Sequence, residues 1–161
     1  MDGRYPPPES QAVKGMPLAE DDGVLRRISD SNPNMVTTDR ITGERRPSSG
    51  VFHPDGDGVS VYSRQVMQQI GVVPADLLVR RGNLLVQLPV TAIRSLGDGD
   101  GQRPLDVIAD PWPDDVLTPD HPRHAAHALI VGLGDLPKSR RRDLQRELAM
   151  LATFVDGEWL G

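Results

Sequence analysis

The sequence predicts an α+β domain: a small mixed or antiparallel sheet with one C-terminal amphipathic helix packed on it. Three observations carry this reading. Leu144, Leu148, Leu151 and Val155 recur at i, i+4, i+7 and i+11 with Arg, Asp and Gln on the other face, the period of a helix with one apolar side. Upstream, short runs such as Val59-Ser60-Val61-Tyr62 and Leu84-Leu85-Val86-Gln87-Leu88 are separated by turn residues, as the strands of a sheet are. With Gly 16 and Pro 15 in 161 residues and 37% hydrophobic side chains, the chain is loop-rich and long enough for one core.

Residues 1–20 hold Pro6-Pro7-Pro8 and no apolar period, so they bury too little surface to offset the entropy of ordering. They are expected to form a disordered arm, and residues 21–161 the single domain. In the next segment Val24, Leu25 and Ile28 fit one helical face, but the segment is short enough to be a strand, and its type stays open. Ser31-Asn32-Pro33-Asn34 is a turn. Met35 to Thr38 and Gly50 to Phe52 are expected as short strands on either side of the basic stretch Arg40 to Arg46. Asp55-Gly56-Asp57-Gly58 signals a turn before the alternating strand Val59 to Tyr62, and together these suggest a hairpin. Ser63 is placed to cap a helix from Arg64 to Ile70, with Tyr62 and Met67 as a hydrophobic staple and Gly71 at the stop.

Leu77 to Arg80 and Leu84 to Leu88 flank Arg81-Gly82-Asn83, a spacing expected of a strand pair with a tight loop. Pro89 ends the second run, and Val90 and Ile93 then share one face of a short helix ending before Gly97. Leu105 to Ile108 is a strand that enters a proline-heavy loop running from Asp110-Pro111-Trp112-Pro113 to His121-Pro122. Ala125 to Val131 is a buried strand, and Gly132-Leu133-Gly134 turns into the final helix. Trp159 and Leu160 follow as a terminal plug or a contact for a partner.

Composition narrows the function. Cysteine is absent, which removes disulfides, thiolate nucleophiles and cysteine-based metal sites. A formal charge of −5 and only 4% aromatic residues disfavour nucleic acid, which needs a basic face and stacking rings, unless the two arginine clusters meet. No apolar run approaches the roughly 20 residues of a membrane helix, and the start lacks an apolar leader segment. A cytoplasmic protein without membrane contact is the expectation. The excess of Arg over Lys, with abundant Asp, Gly and Pro, suggests a bacterial source.

Gly132-Leu133-Gly134-Asp135-Leu136-Pro137-Lys138-Ser139 nearly spells a phosphate-binding loop, but Pro137 replaces the second glycine and offers no N–H to a phosphate. Triphosphate hydrolysis at that loop is therefore set aside. Ser139, Arg140, Arg141 and Arg142 nevertheless stand in the first turn of the last helix, where cations oppose the helix dipole and an anion would relieve them. Arg45 and Arg46 form a second basic group, and these six residues are the candidate ligand-binding set. His53, His121, His124 and His127 could supply a metal arithmetically, yet in a strand His124 and His127 point to opposite faces, so no metal and no cofactor is expected. The two Asp-Gly-Asp-Gly stretches lack the further carboxylates of a calcium loop and are turns.

Arg26-Arg27, Ser48-Ser49, Ser60-Val61-Tyr62 and His127 follow one another in an order that resembles the small NAD-cleaving ADP-ribosyltransferase-like folds. That resemblance implies dinucleotide chemistry with Arg26, Tyr62 and His127 as catalytic candidates, although no glutamate stands where the late catalytic acid belongs. The blocks Arg26-Arg27-Ile28, Ser48 to Phe52, Val59-Ser60-Val61 and His127-Ala128 also resemble a family of uncharacterised bacterial proteins of actinobacterial type, which implies no activity. Without a complete catalytic set, the leading expectation is a binding or accessory protein whose partner is another protein or a phosphorylated small molecule. The alternative is a small NAD- or nucleotide-processing enzyme. The two separate if Arg26, Tyr62 and His127 do, or do not, converge on one concave pocket.

Overall fold

The computed structural model describes residues 13–32, 34–96, 104–112 and 125–155. The segment that fits either helix or strand is a strand, β1 (Gly23–Ser29). Val24 and Leu25 are adjacent yet both fully buried, because they point to opposite faces of a sheet that is covered on both sides. A ribbon of β2 (Val36–Thr38) and β3 (Arg45–Pro47) follows, and then β4 (Val59–Ser63) and α1 (Arg64–Ile70). The chain continues through β5 (Asn83–Pro89), α2 (Val90–Ser95), β6 (Asp106–Ala109), β7 (His127–Val131), α3 (Lys138–Leu151) and β8 (Thr153–Phe154).

Among the described residues six strands form one sheet in the order β6-β7-β4-β1-β5-β8, antiparallel at each pairing, so the fold is α+β with an antiparallel sheet. α3 packs over one face. Leu144 and Leu148 are fully buried against Val24, Val61, Val86 and Ile130, and Gln145 Nε2 donates to the Phe52 carbonyl at 3.1 Å. The opposite face carries a smaller cluster in which α1 sets Met67 and Ile70 against Leu25, Tyr62 and Leu85. Ser63 caps α1 by accepting from Val66 N at 3.2 Å, and its hydroxyl donates to the buried Asp22 carboxylate at 2.5 Å.

Three expected elements differ. Gly50 to Phe52 is part of a 3₁₀ turn, Ser49–Phe52, and not a strand, so the hairpin with Val59 to Tyr62 does not form; β4 lies between β7 and β1 instead. Gly50 explains the tight turn, since a Cβ there would stand 2.2 Å from the Asn34 carbonyl oxygen. Leu77 to Arg80 is not a strand either. Pro74 opens a 3₁₀ turn, Pro74–Leu77, and β5 takes β1 and β8 as neighbours. Val155 lies beyond α3, which stops at Leu151; the chain turns so that Val155 N donates to Leu85 O, and Val155 packs with the α1 cluster.

Residues 13–20, the end of the segment expected as an arm, run along the outer edge of β6. Gly15 N donates to Ala109 O, Leu18 N to Val107 O and Ala109 N to Met16 O, and Leu18 is buried. Arg94 of α2 fastens this segment, donating through Nη2 to Leu18 O and through Nε to Asp106 Oδ1, each at 2.7 Å. Residues 1–12 and Trp159 lie outside the described residues. Among the described residues no helix is long and apolar enough to cross a membrane.

Candidate functional site

Alternation along β1 sends its two arginines to opposite faces of the sheet. Arg26 shares the side of Val24 and Ile28. Its Nε donates to Val51 O at 2.6 Å and its Nη1 to Ser60 O at 2.7 Å, joining β1 to the Ser49–Phe52 turn and to β4. No carboxylate of the described residues lies within ion-pair distance of it. Burial pulls this guanidinium down to about 10, with Tyr62 and then Asp55 pulling the other way and Arg27 adding to the fall.

Arg26 opens onto a cavity of about 730 Å³ whose walls include Asn34, Ser48, Gly50, His53 and Asp55. Those walls are knitted locally. Ser48 Oγ donates to Asn34 O and accepts from Gly50 N, Ser48 N donates to Met35 O, and Asn34 N donates to Asn32 Oδ1. The wall residues are therefore tied to one another, and several of them are polar.

A second group occupies the other face. Ser60 and Tyr62 of β4, His127 of β7, and Asp110 just past β6 stand side by side, because Tyr62 pairs with His127 and the β6–β7 register continues to place Asp110 across from His127. Ser60 Oγ and His127 Nε2 are 2.5 Å apart. His127 Nδ1 lies 3.0 Å from Asp110 Oδ2 and 3.1 Å from the Asp110 carbonyl oxygen. Both are acceptors, so Nδ1 carries a proton, and in the neutral ring Nε2 is left as the acceptor for the serine hydroxyl. The ring is held on its flank by Tyr62, edge to face at 5.6 Å between centroids, and Asp110 N donates to His127 O at 2.9 Å. Carrying the register Leu25↔Tyr62 two residues further brings Arg27 across from Ser60. Arg27 Nη1 is buried with no hydrogen-bond partner, and burial lowers its guanidinium while Tyr62 raises it.

The catalytic candidates are thus divided. Tyr62 and His127 meet on one face; Arg26 lies on the other, in the wall of a cavity that neither of them lines. The two basic groups stand on different elements. Arg45 and Arg46 sit on β3 beside β8, which follows the C-terminal end of α3, whereas Ser139 to Arg142 begin that helix, about 20 Å long at 1.5 Å per residue. Arg46 is paired with Glu44 at 3.3 Å and Arg45 approaches Asp30 at 4.0 Å, and none of these six residues lines the Arg26 cavity. His121 and His124 lie outside the described residues, and among the described residues no group of three or more His, Asp or Glu could hold a metal.

Sequence reasoning missed Asp110 as a site residue and placed it at the mouth of a loop. The alternation Asp106, Ile108, Asp110 on one side of β6 was its only signal, and that signal gains meaning when β7 is known to be the neighbour. No protein-family model, curated protein or solved structure matches this chain, so its residues and their geometry carry the functional argument.

Proposed function

We propose that the protein binds an anionic small molecule of nucleotide size, bearing phosphate, in the cavity beside Arg26. One observation carries this reading: a guanidinium withdrawn from water, bonded to two carbonyl oxygens and to no carboxylate, faces an open polar cavity. Asp55 attracts this guanidinium from the cavity wall without reaching ion-pair distance, so the desolvated cation lacks a contacting counter-ion, and a bound anion offsets that cost. The volume, about 730 Å³, falls within the range that holds a cofactor-sized ligand. Asn34, Ser48 and His53 add hydrogen-bonding groups around the same space. Binding without turnover is favoured over NAD cleavage, because cleavage would need Arg26, Tyr62 and His127 around one ligand.

Thermal unfolding against pyrophosphate, ADP and NAD tests the reading. A ligand at 100 times its Kd stabilises by about 2.7 kcal/mol, which raises Tm by several degrees in a chain of this size. Ser49→Glu puts a carboxylate in the cavity wall and is expected to abolish the shift while leaving the unliganded Tm within a degree or two. A flat response to all three ligands, or an unchanged shift in Ser49→Glu, overturns the proposal.

A further inference from the structure

The Ser60 face of the sheet has no part in the Arg26 cavity, and its geometry points to a separate activity: we propose that Ser60 is a nucleophile, activated by His127, that hydrolyses carboxylic esters with a short apolar acyl group. The argument starts from proton positions. Nδ1 of His127 faces two acceptors of Asp110, which favours the tautomer with the proton there and aims the lone pair of Nε2 at the Ser60 hydroxyl, 2.5 Å away. Ser60 is a part-exposed residue while the His127 side chain is fully buried, so the base is kept from water beside a residue that solvent reaches.

What surrounds the hydroxyl selects the substrate. Leu129 is paired directly with Ser60, and Ile108 is paired with Leu129, so two part-exposed apolar side chains extend from the nucleophile along the same face. That strip accommodates a short acyl chain. On the opposite flank Arg27 stands across from Ser60, and its buried Nη1 has no hydrogen-bond partner, so it is the donor available to charge developing on the carbonyl oxygen.

The step balances without any redox partner. Ser60 Oγ forms a bond to the ester carbonyl carbon and its proton passes to His127 Nε2. The bond to the alcohol oxygen then breaks, and that proton leaves with the alcohol. Water adds to the acyl-serine, giving its proton to Nε2, the acyl–Oγ bond breaks, and the proton returns to Ser60; ester and water become acid and alcohol. Asp110 touches His127 and not the reacting atoms, so it is a positioning residue.

Intact-mass measurement of the full chain treated with an alkyl fluorophosphonate, alongside hydrolysis of p-nitrophenyl butyrate, tests the proposal. A single adduct mapping to Ser60 is expected, absent in Ser60→Ala, with butyrate hydrolysis lost in the same variant and the melting temperature kept. Asp110→Asn is expected to slow labelling at least tenfold, and Asp110→Glu to recover part of that loss, which a merely structural carboxylate would not do. Absence of an adduct on the folded wild-type chain overturns the proposal. So does labelling that persists in Ser60→Ala, or that is equally fast in Asp110→Asn.

Discussion

Arg94 ties α2 to β6 and to the segment before β1. It is 7% exposed, and its donors reach Asp106, the Leu18 carbonyl and, at 3.4 Å, Glu20. Arg94→Ala removes the donor to a buried carbonyl, but Asp106 is about 43% exposed and rehydrates, so the loss falls below that of a fully buried pair. We expect about 2–3 kcal/mol, read as a lowered midpoint in urea denaturation with unchanged slope. Gly132 has less room to vary: its φ is +109°, and a Cβ would stand 2.0 Å from the Pro104 carbonyl oxygen. Asp39, on the ribbon between β2 and β3, shows a pH effect of known sign. Backbone N–H groups of Thr42 and Ile41 hold its carboxyl below the ordinary value of 3.8, so its contribution is present above that value and lost as pH falls through the lower one. A carboxyl titration by NMR is expected to place Asp39 below the ordinary carboxylates of the chain; a midpoint at or above 3.8 contradicts this.

At the level of elements, what could be read along the chain was what the chain decides locally. Ser63, Gly71 and Pro89 act on their immediate neighbours, and the helices they bound, Arg64–Ile70 and Val90–Ser95, stand where those residues place them. The cap at Ser63 is stronger than local chemistry alone supplies, because its hydroxyl also satisfies the buried Asp22. Ser63→Ala is therefore expected to cost about 2 kcal/mol, at the upper end for a lost cap, with faster amide exchange across α1 as the observable. Elements decided at a distance were not legible. Gly50 to Phe52 has strand-forming residues but meets Asn34 and Gln145, and Leu77 to Arg80 looks like a partner for β5 while β1 occupies that position. The Ser60 face follows the same rule. Ser60, Tyr62 and His127 could be picked out by type, but their shared face depends on a pairing between β4 and β7 that local pattern does not encode, and Asp110 depends on a second such pairing.

For the whole molecule, the two edges of the sheet matter most. β8 closes one side with two residues, and the other side, β6, is lined by the segment from Gly15 to Leu18. Removing residues 1–18 takes away these edge hydrogen bonds and the buried Leu18 side chain. The shortened chain is expected to melt several degrees lower and to associate through the bared β6, seen as light scattering that rises with concentration. The strand order has a further consequence for how the chain reaches this state. β1 is flanked by β4 and β5, and β4 completes its pairing only with β7, so Ser60 meets His127 across 67 residues of sequence. A nascent chain leaving the ribosome holds β4 with one side open until β7 has emerged, and the sheet closes late. Refolding should accordingly be slow for a domain of this size, in milliseconds to seconds and not microseconds, with the Ser60–His127 contact among the last to form.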